Sequence, residues 1–400
     1  MNERKKVLFI ISSLNFGGAQ KVVSNITTSL PNDYQIDILL NSDKDVQYPY
    51  KGMIYSLDIK EPKSRESIYY QTKVFLKRLK TIIKLKKQNQ YDSVVSILTS
   101  ANVANVLCKT KNCRSIITEV NMPSESASFK EKYIIGSLTT MFYTGADIVV
   151  AETNAIAENL IKKHRVNQGK ICIIPNSIDV DGINMQASQP LTLEEKKMFN
   201  YENTFVTAGR MQYQKAQWHL IRAFSKVVSK NPEAKLVIFG EGELKNMLEE
   251  LVKAYHLERN VHLCGFTNTL DKYVAKCRCF VFPSMYEGMP TALLQAMAVG
   301  TPCIITDFYS GAREVLGDEK TPSEHISKIF ETKWGIMTPV CSGRFYSAEE
   351  PLERGEELLA EAMENMLEDD ELRKKYSKAG RERSYHFDNG TVIKKWMEII

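Results

Sequence analysis

The sequence predicts an α/β protein built from two doubly wound parallel sheets, and three observations lead to this class. Short apolar runs alternate with segments of helical periodicity, as expected for strands that are buried on both faces of a parallel sheet. The alternation lapses between residues 183 and 200, around Pro190, and begins again at residue 204. A chain of 400 residues is also longer than one hydrophobic core usually organises. We therefore expect two domains of ordinary size.

The predicted strands of the first domain alternate with helical segments. They cover residues 7–11, 35–40, 93–98, 115–118, 148–151 and 171–174, with helical patterns at 21–30, 60–87 and 155–163. Ligands of such sheets lie beyond the carboxyl ends of the strands. Candidate site residues are therefore expected in the segments 15–18, 119–123 and 176–179.

The second domain repeats the pattern. Its predicted strands are 204–208, 235–239, 261–264, 279–282 and 302–306, with helices at 218–229, 244–255 and 358–367. The last segment places Val392, Trp396 and Ile399 on one stripe, which is typical of a helix that docks on another surface. The predicted boundaries are 1–185 for the first domain, 186–200 for a linker, 201–384 for the second domain and 385–400 for the final helix.

The composition is that of a soluble globular protein, with 43% apolar and 25% charged residues. The apolar run at 7–11 is shorter than a signal peptide or a membrane span needs, so we expect neither. Eight cysteines form no CxxC pair, which favours reduced thiols in the cytosol. The six histidines form no HExxH pattern, so the sequence predicts no zinc site.

Positive charge is concentrated in the first domain, where residues 1–185 carry 25 Lys/Arg against 17 Asp/Glu, a net +8. The stretch 60–87 holds ten Lys/Arg and two acids, with apolar residues at helical spacing. A surface helix with a solvated lysine face explains this pattern, and so does adsorption to an anionic membrane surface. No aromatic or arginine-rich readout motif accompanies the charge, so nucleic acid is not an expected partner.

The stretch 287–300 predicts a ligand site in the second domain. It follows the strand 279–282 and begins a helix, with Pro290 at the first helical position. Free N–H groups and the helix dipole at such a terminus favour a phosphate or a sugar oxygen. Glu287 precedes the helix, where its carboxylate is placed to accept hydrogen bonds from ligand hydroxyls, and Gln295 lies further along it.

Two other strand ends carry candidate residues. Gly209 and Arg210 end the strand 204–208 and Lys215 follows, a pair of cations that suits a diphosphate. Gly17 and Gly18 follow the first strand, where they permit either close approach to a ligand or a tight turn without one.

Two further patterns in the chain are weak. Gly240-Glu-Gly242 lacks the third glycine of a dinucleotide loop. Asp179 and Asp181 stand one residue apart in a loop, as acids often do, and we expect no metal there.

Six motifs, taken in the order in which they occur along the chain, resemble those of family 4 glycosyltransferases of the GT-B fold. They are Gly17-Gly18-Ala-Gln, Ile173-Ile-Pro-Asn-Ser-Ile-Asp179, Gly209-Arg210 with Lys215, Gly240-Glu-Gly242, Phe282-Pro-Ser284 with Glu287-Gly-Met-Pro, and Thr306-Asp307. The resemblance spans nearly the whole chain and is strongest from 204 to 316. It implies two Rossmann-like domains facing a central cleft, with the acceptor held by the first domain and the donor by the second. It also implies that the final helix crosses back to the first domain.

The resemblance further implies roles for individual residues. Arg210, Lys215 and Glu287 would be the catalytic group, acting on the donor diphosphate and the donor sugar. The implied donor-binding residues are Gly17, Gly18, Gly209, Gly288, Met289, Pro290, Thr291 and Gln295. Glu119 and Asn121 occupy the acceptor-side position where many relatives carry His or Arg. No divalent metal and no cofactor is expected.

This chain departs from the family pattern at two of these positions. Gln295 replaces the second of two glutamates eight positions apart, so one charged hydrogen bond to the nucleotide ribose is lost, worth about 1 kcal/mol more than a neutral one. Ala216 stands where the family often has glycine.

The expected activity is retaining, metal-independent transfer from a nucleotide-diphosphate sugar, expected to be a UDP-sugar. The expected acceptor is a saccharide or a lipid-linked saccharide in bacterial surface polysaccharide biosynthesis. We nominate no enzymic nucleophile; the acceptor hydroxyl attacks from the face that the diphosphate leaves. We expect a cytoplasmic protein, peripheral on the inner face of the plasma membrane. The alternative from another class, motivated by Gln295, is a non-catalytic GT-B subunit that binds sugar nucleotides.

Overall fold

The computed structural model describes residues 4–15, 17–44, 46–59, 68–120, 129–199, 202–308 and 310–400. The chain divides into two compact units, Met1–Ser177 with Asn389–Ile400, and Ile178–Asp388. Each unit is an α/β structure around its own sheet. The predicted pair of doubly wound domains is confirmed.

The first unit contains a parallel sheet with strand order β3-β2-β1-β4-β5-β6-β7. Its elements are β1 Lys5–Ile10, α1 Gly18–Ser29, β2 Tyr34–Leu40, β3 Met53–Ser56, α2 Ile68–Asn89, β4 Ser93–Ile97, α3 Thr99–Leu107, β5 Arg114–Glu119, α4 Phe129–Phe142, β6 Ile148–Ala151, α5 Asn154–His164 and β7 Ile171–Ile173. The order reverses between β1 and β4, so the loops after these strands lie at a topological switch point.

The apolar run of β1 shows why this sheet is covered on both faces. Val7 and Phe9 belong to one buried cluster, and Leu8 and Ile10 belong to another. Alternate residues of a strand point to opposite faces, so a continuous apolar run needs cover on each side. Helix α1 supplies apolar side chains to the first cluster, and α2 and α3 supply them to the second.

The second unit has strand order β10-β9-β8-β11-β12-β14-β13, parallel except for β13 against β14. Its elements are α6 Val180–Ala187, α7 Leu193–Met198, β8 Thr204–Ala208, α8 Gln217–Lys230, β9 Lys235–Phe239, α9 Lys245–Ala254, β10 Val261–Gly265, α10 Leu270–Val274, β11 Cys279–Phe282, α11 Thr291–Ala298, β12 Cys303–Thr306, α12 Gly311–Leu316, β13 Phe330–Glu331, β14 Ile336–Thr338, α13 Arg354–Glu368 and α14 Asp370–Ser384. One face is covered by side chains from α6, α10, α11 and α12, and the other by α8, α9 and α13.

The boundary between the units differs from the prediction of a first domain to residue 185 and a linker at 186–200. The second unit begins at Ile178, and Val180, Ile183 and Phe199 are buried in its core. Helix α6 extends to Ala187 and α7 covers Leu193–Met198, so just over half of the predicted linker is helical. Pro190 and the polar residues around it had obscured the helical pattern.

The last helix, α15 Asn389–Ile399, belongs to the first unit, as the sequence predicts. Val392, Trp396 and Ile399 are buried in the same cluster as Val23 and Ile26 of α1. The preceding residues to Asp388 stay with the second unit, where Phe387 is buried. The return segment is therefore four residues shorter than the predicted 385–400.

Candidate active site

The loop after β8 is held against the loop after β9 by backbone contacts. The Gly209 N–H donates to the Phe239 carbonyl at 3.0 Å, and the Met211 N–H donates to the Glu241 carbonyl at 2.9 Å. A Cβ added at Gly242 would overlap the Met211 backbone. This packing explains the glycine of the incomplete dinucleotide pattern without a dinucleotide.

Lys215 and Glu287, predicted as separate ligand contacts, form an ion pair. Lys215 ends a 3₁₀ turn, Tyr213–Lys215, and its Nζ lies 4.8 Å from the centre of the Phe282 ring. Ser284 Oγ donates to Glu287 Oε1 at 3.1 Å. The two charged side chains are 17% and 12% exposed, so each is largely desolvated yet still reachable by a ligand.

The loops that carry this ion pair are also joined through their backbones. The Met285 N–H donates to the Gln214 carbonyl at 2.9 Å, and Gln214 Nε2 donates to the Tyr286 carbonyl at 2.7 Å. Because β8 and β11 are neighbours in the sheet, their following loops lie at the same edge. The structure therefore brings Lys215 and Glu287 together at this edge, and their role in binding a donor stays a prediction.

Arg210 lies on the same loop as Lys215, with an exposed side chain. Among the described residues its guanidinium makes no hydrogen bond or ion pair, so its donors are available to an anion. Gly209 beside it is crowded, since a Cβ there would lie 3.0 Å from Lys215 Cε. A side chain at 209 would therefore press on the lysine of the ion pair.

The amino terminus of α11 follows Glu287, as predicted, although Pro290 precedes the helix rather than occupying its first position. Within the described part of the chain, the Thr291 and Ala292 N–H groups have no protein acceptor. A Cβ at Gly311 would overlap the Gly288 carbonyl, so α12 packs tightly on this loop. Met289 is buried in the core, which leaves only its backbone for a ligand.

Gln295 donates from Nε2 to Asp271 Oδ1 at 2.8 Å. Asp271 lies on α10 and is 5% exposed. A glutamate at 295, as in the family pattern, would set two carboxylates against each other, so Asp271 explains why glutamine suits this position. Sequence reasoning missed Asp271 because the two residues are 24 positions apart.

The two glycines after β1 differ in their surroundings. A Cβ at Gly17 would overlap the end of the Gln20 side chain, whereas a Cβ at Gly18 would meet nothing within 4 Å. Packing inside the first unit therefore gives no reason for glycine at 18. Its role in donor binding stays a prediction.

Glu119 ends β5 and is 3% exposed, with Oε2 accepting a hydrogen bond from Tyr143 Oη at 2.7 Å. Asn102 Nδ2 donates in turn to Tyr143 Oη at 2.9 Å. The other predicted acceptor-side residue, Asn121, lies outside the described residues. Glu119 is thus part of a buried polar network rather than an exposed loop contact.

Glu152, which sequence reasoning missed, follows β6 and is 2% exposed. Burial and the nearby charge of Glu119 raise the pKa of the Glu152 carboxyl well above its usual range. Its position directly after a buried strand, like that of Glu119, was the signal that could have identified it.

A group of possible metal ligands, His219, Cys341 and Glu353, lies in the second unit. Both ring nitrogens of His219 contact protein groups, Nδ1 at 2.7 Å from Glu356 Oε1 and Nε2 accepting from the Gly343 N–H at 3.2 Å. This histidine therefore joins a structural network.

Among the described residues, no helix has the length and apolarity that a membrane span requires.

Comparison with known proteins identifies the class of this fold and site. Residues 16–181 match the family described as Glycosyltransferase Family 4, and residues 190–325 match Glycosyl transferases group 1. The crystal structure of Anabaena HepE in complex with UDP and glucose superposes with a TM-score of 0.73 at 17% identity, covering 98% of both chains. The two units therefore form a GT-B fold.

Relatives by sequence identify the family. An uncharacterised glycosyltransferase of Methanocaldococcus jannaschii is 35% identical over 352 residues, covering 84% of this chain and 86% of the relative. A Campylobacter jejuni enzyme, named as an N-acetylgalactosamine-N,N'-diacetylbacillosaminyl-diphospho-undecaprenol 4-alpha-N-acetylgalactosaminyltransferase, is 28% identical and covers 98% of both chains. The chain belongs to the family 4 glycosyltransferases, and the protein is a glycosyltransferase.

The contact between Gln295 and Asp271 predicts the effect of restoring the family glutamate. Gln295→Glu should lower the free energy of unfolding by about 1–3 kcal/mol, because a partly buried hydrogen bond is replaced by carboxylate repulsion. Adding Asp271→Asn should recover most of this loss. Urea denaturation of wild type and both variants measures these free energies. Equal stability of Gln295→Glu and wild type would show that residues 295 and 271 are not energetically coupled.

The burial of Glu152 predicts a pH-dependent stability change. A carboxyl whose pKa is raised on folding stabilises the protein at low pH, and this stability is lost as pH rises above the unfolded-state pKa. Glu152→Gln should therefore unfold at higher urea than wild type at pH 8, with the difference shrinking toward pH 5. The exposed Glu158→Gln on the adjoining helix α5 is the control, and a gap that widens toward low pH would contradict the assignment.

Proposed function

We propose that this glycosyltransferase transfers a sugar, with retention, from a nucleotide-diphosphate sugar to a lipid-linked saccharide of a bacterial surface polysaccharide. The observation that carries the proposal is the Lys215–Glu287 pair at the carboxyl ends of β8 and β11, beside the guanidinium of Arg210, which has no partner in the part of the chain that the structure describes. The named activity of the Campylobacter jejuni relative supports a diphospho-undecaprenol-linked acceptor. The UDP held by the Anabaena structure supports a UDP-sugar donor.

In this proposal the cationic side chains stabilise charge and Glu287 orients the donor sugar. Arg210 and Lys215 bind the donor diphosphate, and the free amides of Thr291 and Ala292 add donors at the start of α11. In this proposal the two cations supply the charge stabilisation that a divalent ion provides in other transferases, so the reaction is metal-independent. Glu287, oriented by Ser284 and Lys215, accepts hydrogen bonds from hydroxyls of the donor sugar.

The bond changes follow from this arrangement. The acceptor hydroxyl oxygen bonds to the anomeric carbon on the face from which the diphosphate leaves. The bond from that carbon to the diphosphate oxygen breaks, and a donor phosphate oxygen takes the hydroxyl proton. Arg210 and Lys215 stabilise the negative charge that develops on the departing diphosphate. No protein nucleophile is required.

Helix α2 supports a peripheral position on the inner face of the plasma membrane. Five of its lysines are exposed. Lys77 donates to the Leu57 carbonyl, and we call the other four the lysine stripe: Lys73, Lys80, Lys84 and Lys87. Leu76 and Ile83 lie among them, 51% and 45% exposed. An exposed face that combines lysines with large apolar side chains suits an anionic bilayer, where each basic residue contributes about 1 kcal/mol.

Not all of the predicted basic segment serves this surface. Arg78 is buried and donates to Ser100 Oγ and Asn41 Oδ1, and burial lowers its pKa to about 10. Lys86 is buried and donates to the Cys108 carbonyl. Residues 60–67 lie outside the described residues. The membrane proposal therefore depends on the lysine stripe and its apolar neighbours.

The proposed role of Arg210 predicts a loss of rate without a loss of fold. Wild type is first assayed against a panel of nucleotide sugars with an undecaprenyl-diphosphate-linked saccharide, and products are read by mass spectrometry. Arg210→Ala should reduce kcat about 10²- to 10³-fold, because one donor to the departing charge is removed. Arg259→Ala is the matched control, since this exposed arginine precedes β10 at the opposite edge of the sheet. Near-normal turnover of Arg210→Ala would refute its role.

The surface of α2 predicts selective binding to anionic vesicles. Wild type should pellet with phosphatidylglycerol vesicles and much less with phosphatidylcholine. Replacing the lysine stripe by glutamine should abolish most binding, and Leu76→Ser with Ile83→Ser should weaken it. Leu107→Ser, an exposed leucine on α3, is the control. Equal partitioning onto both vesicle types would remove the proposal.

A further inference from the structure

Three aromatic side chains form a surface feature of the second unit that no part of the proposed chemistry uses. Phe345 is 55% exposed and Tyr213 is 40% exposed, with ring centres 5.9 Å apart. Both pack on the buried Trp218, at 4.6 Å and 5.4 Å between ring centres. We call these three residues the aromatic shelf. Large aromatic rings left open to solvent side by side commonly mark a ligand-binding surface.

The shelf is held in place by the protein itself. Phe345 lies in the segment 339–353 between β14 and α13. Trp218 Nε1 donates to the Arg344 carbonyl at 3.0 Å. Arg222 of α8 is fully buried, donates to the carbonyls of Ser347, Glu350 and Pro351, and pairs with Glu356. A buried guanidinium persists only where its donors are satisfied, so it fixes the course of this segment.

The shelf adjoins the proposed donor site. Tyr213 begins the 3₁₀ turn that ends in Lys215. Gly343, whose φ is +77°, fits so closely between Met285 and Tyr213 that a Cβ there would overlap both side chains. Met285 is two residues from Glu287. The aromatic rings are therefore continuous with the loops that carry the ion pair.

The shelf lies on the side of the second sheet away from Gln295. Trp218 belongs to α8, whose face of the sheet is covered by α8, α9 and α13. Gln295 and Asp271 belong to α11 and α10, which cover the other face. With the nucleotide ribose assigned to Gln295, the ribose and the shelf belong to opposite faces of the second sheet.

We propose that the aromatic shelf binds a pyranose ring of the acceptor saccharide through the apolar C–H face of that ring. This inference rests on the proposed function. An uncharged aromatic surface offers nothing to a diphosphate, and the donor sugar is already assigned to Glu287. The nucleobase is attached to the ribose, which is assigned to the other face of the sheet, so a sugar of the acceptor glycan is the remaining ring-shaped ligand. The shelf adds a contact to the acceptor contacts that the resemblance implies for the first unit.

The test separates acceptor from donor binding. Phe345→Ala should raise the KM for the lipid-linked saccharide about five- to tenfold, the scale of one lost aromatic contact, with the KM for the nucleotide sugar unchanged. Phe345→Tyr should retain most of the acceptor affinity because it keeps the ring. Tyr385→Ala, which removes an exposed aromatic from the turn after α14, is the control. Thermal unfolding of each variant verifies its fold.

A second readout does not need turnover. Saturation-transfer NMR with the acceptor saccharide released from its lipid should show transfer to the sugar protons in wild type and a large loss in Phe345→Ala. If the NMR signal is present in wild type and lost in Phe345→Ala, but wild type transfers no sugar, the sugar-binding role of the shelf stands and the proposed function is refuted. A rise in nucleotide-sugar KM, or an unchanged acceptor KM and NMR signal, would overturn the inference.

Discussion

The arrangement of the candidate site in the second unit depends on one contact, the ion pair between Lys215 and Glu287. It joins the loops after β8 and β11, which the Gln214 backbone and side chain also connect. Both charges are mostly removed from water, so losing either partner would leave an uncompensated charge. The ion pair therefore fixes the positions of both side chains. A diphosphate that binds Lys215 has to share its ammonium group with the Glu287 carboxylate.

The backbone around this pair is shaped by what the ion pair requires. Ala216, where the family often has glycine, adopts the left-handed conformation with φ of +50° and is fully buried. This conformation costs a non-glycine residue about 1–2 kcal/mol, which the contacts of Lys215 and the adjoining helix α8 must offset. Gly209 carries no side chain because the stem of Lys215 occupies the space. The departure at 216 is thus tolerated, while the glycine at 209 is constrained by the ion pair.

The sequence predicted the elements that have a strong local pattern and missed the contacts that join distant residues. Buried strands such as β1 and β11 were predictable because each contains an unbroken apolar run, from residue 7 in β1 and over the whole of β11. Helix α6 was missed because it is short and adjoins Pro190. The replacement at Gln295 was visible, but its reason, Asp271, lies on another helix. Phe345 lies in a segment without periodicity, so only the anchoring by Trp218 and Arg222 shows that its exposed ring is held in place.

The positive charge of α2 also shows that a sequence does not reveal which side chains make contacts with distant residues. Counted along the chain, α2 is uniformly basic, yet Arg78 and Lys86 donate to groups inside the unit and present little charge to solvent. What remains outside is Lys77 and the lysine stripe, with Leu76 and Ile83 between the members of the stripe. Lysines alone would suit any polyanion, because Coulomb attraction does not distinguish phosphate carriers. Exposed apolar side chains gain free energy only where hydrocarbon is available, so they are the part of this surface that favours a bilayer.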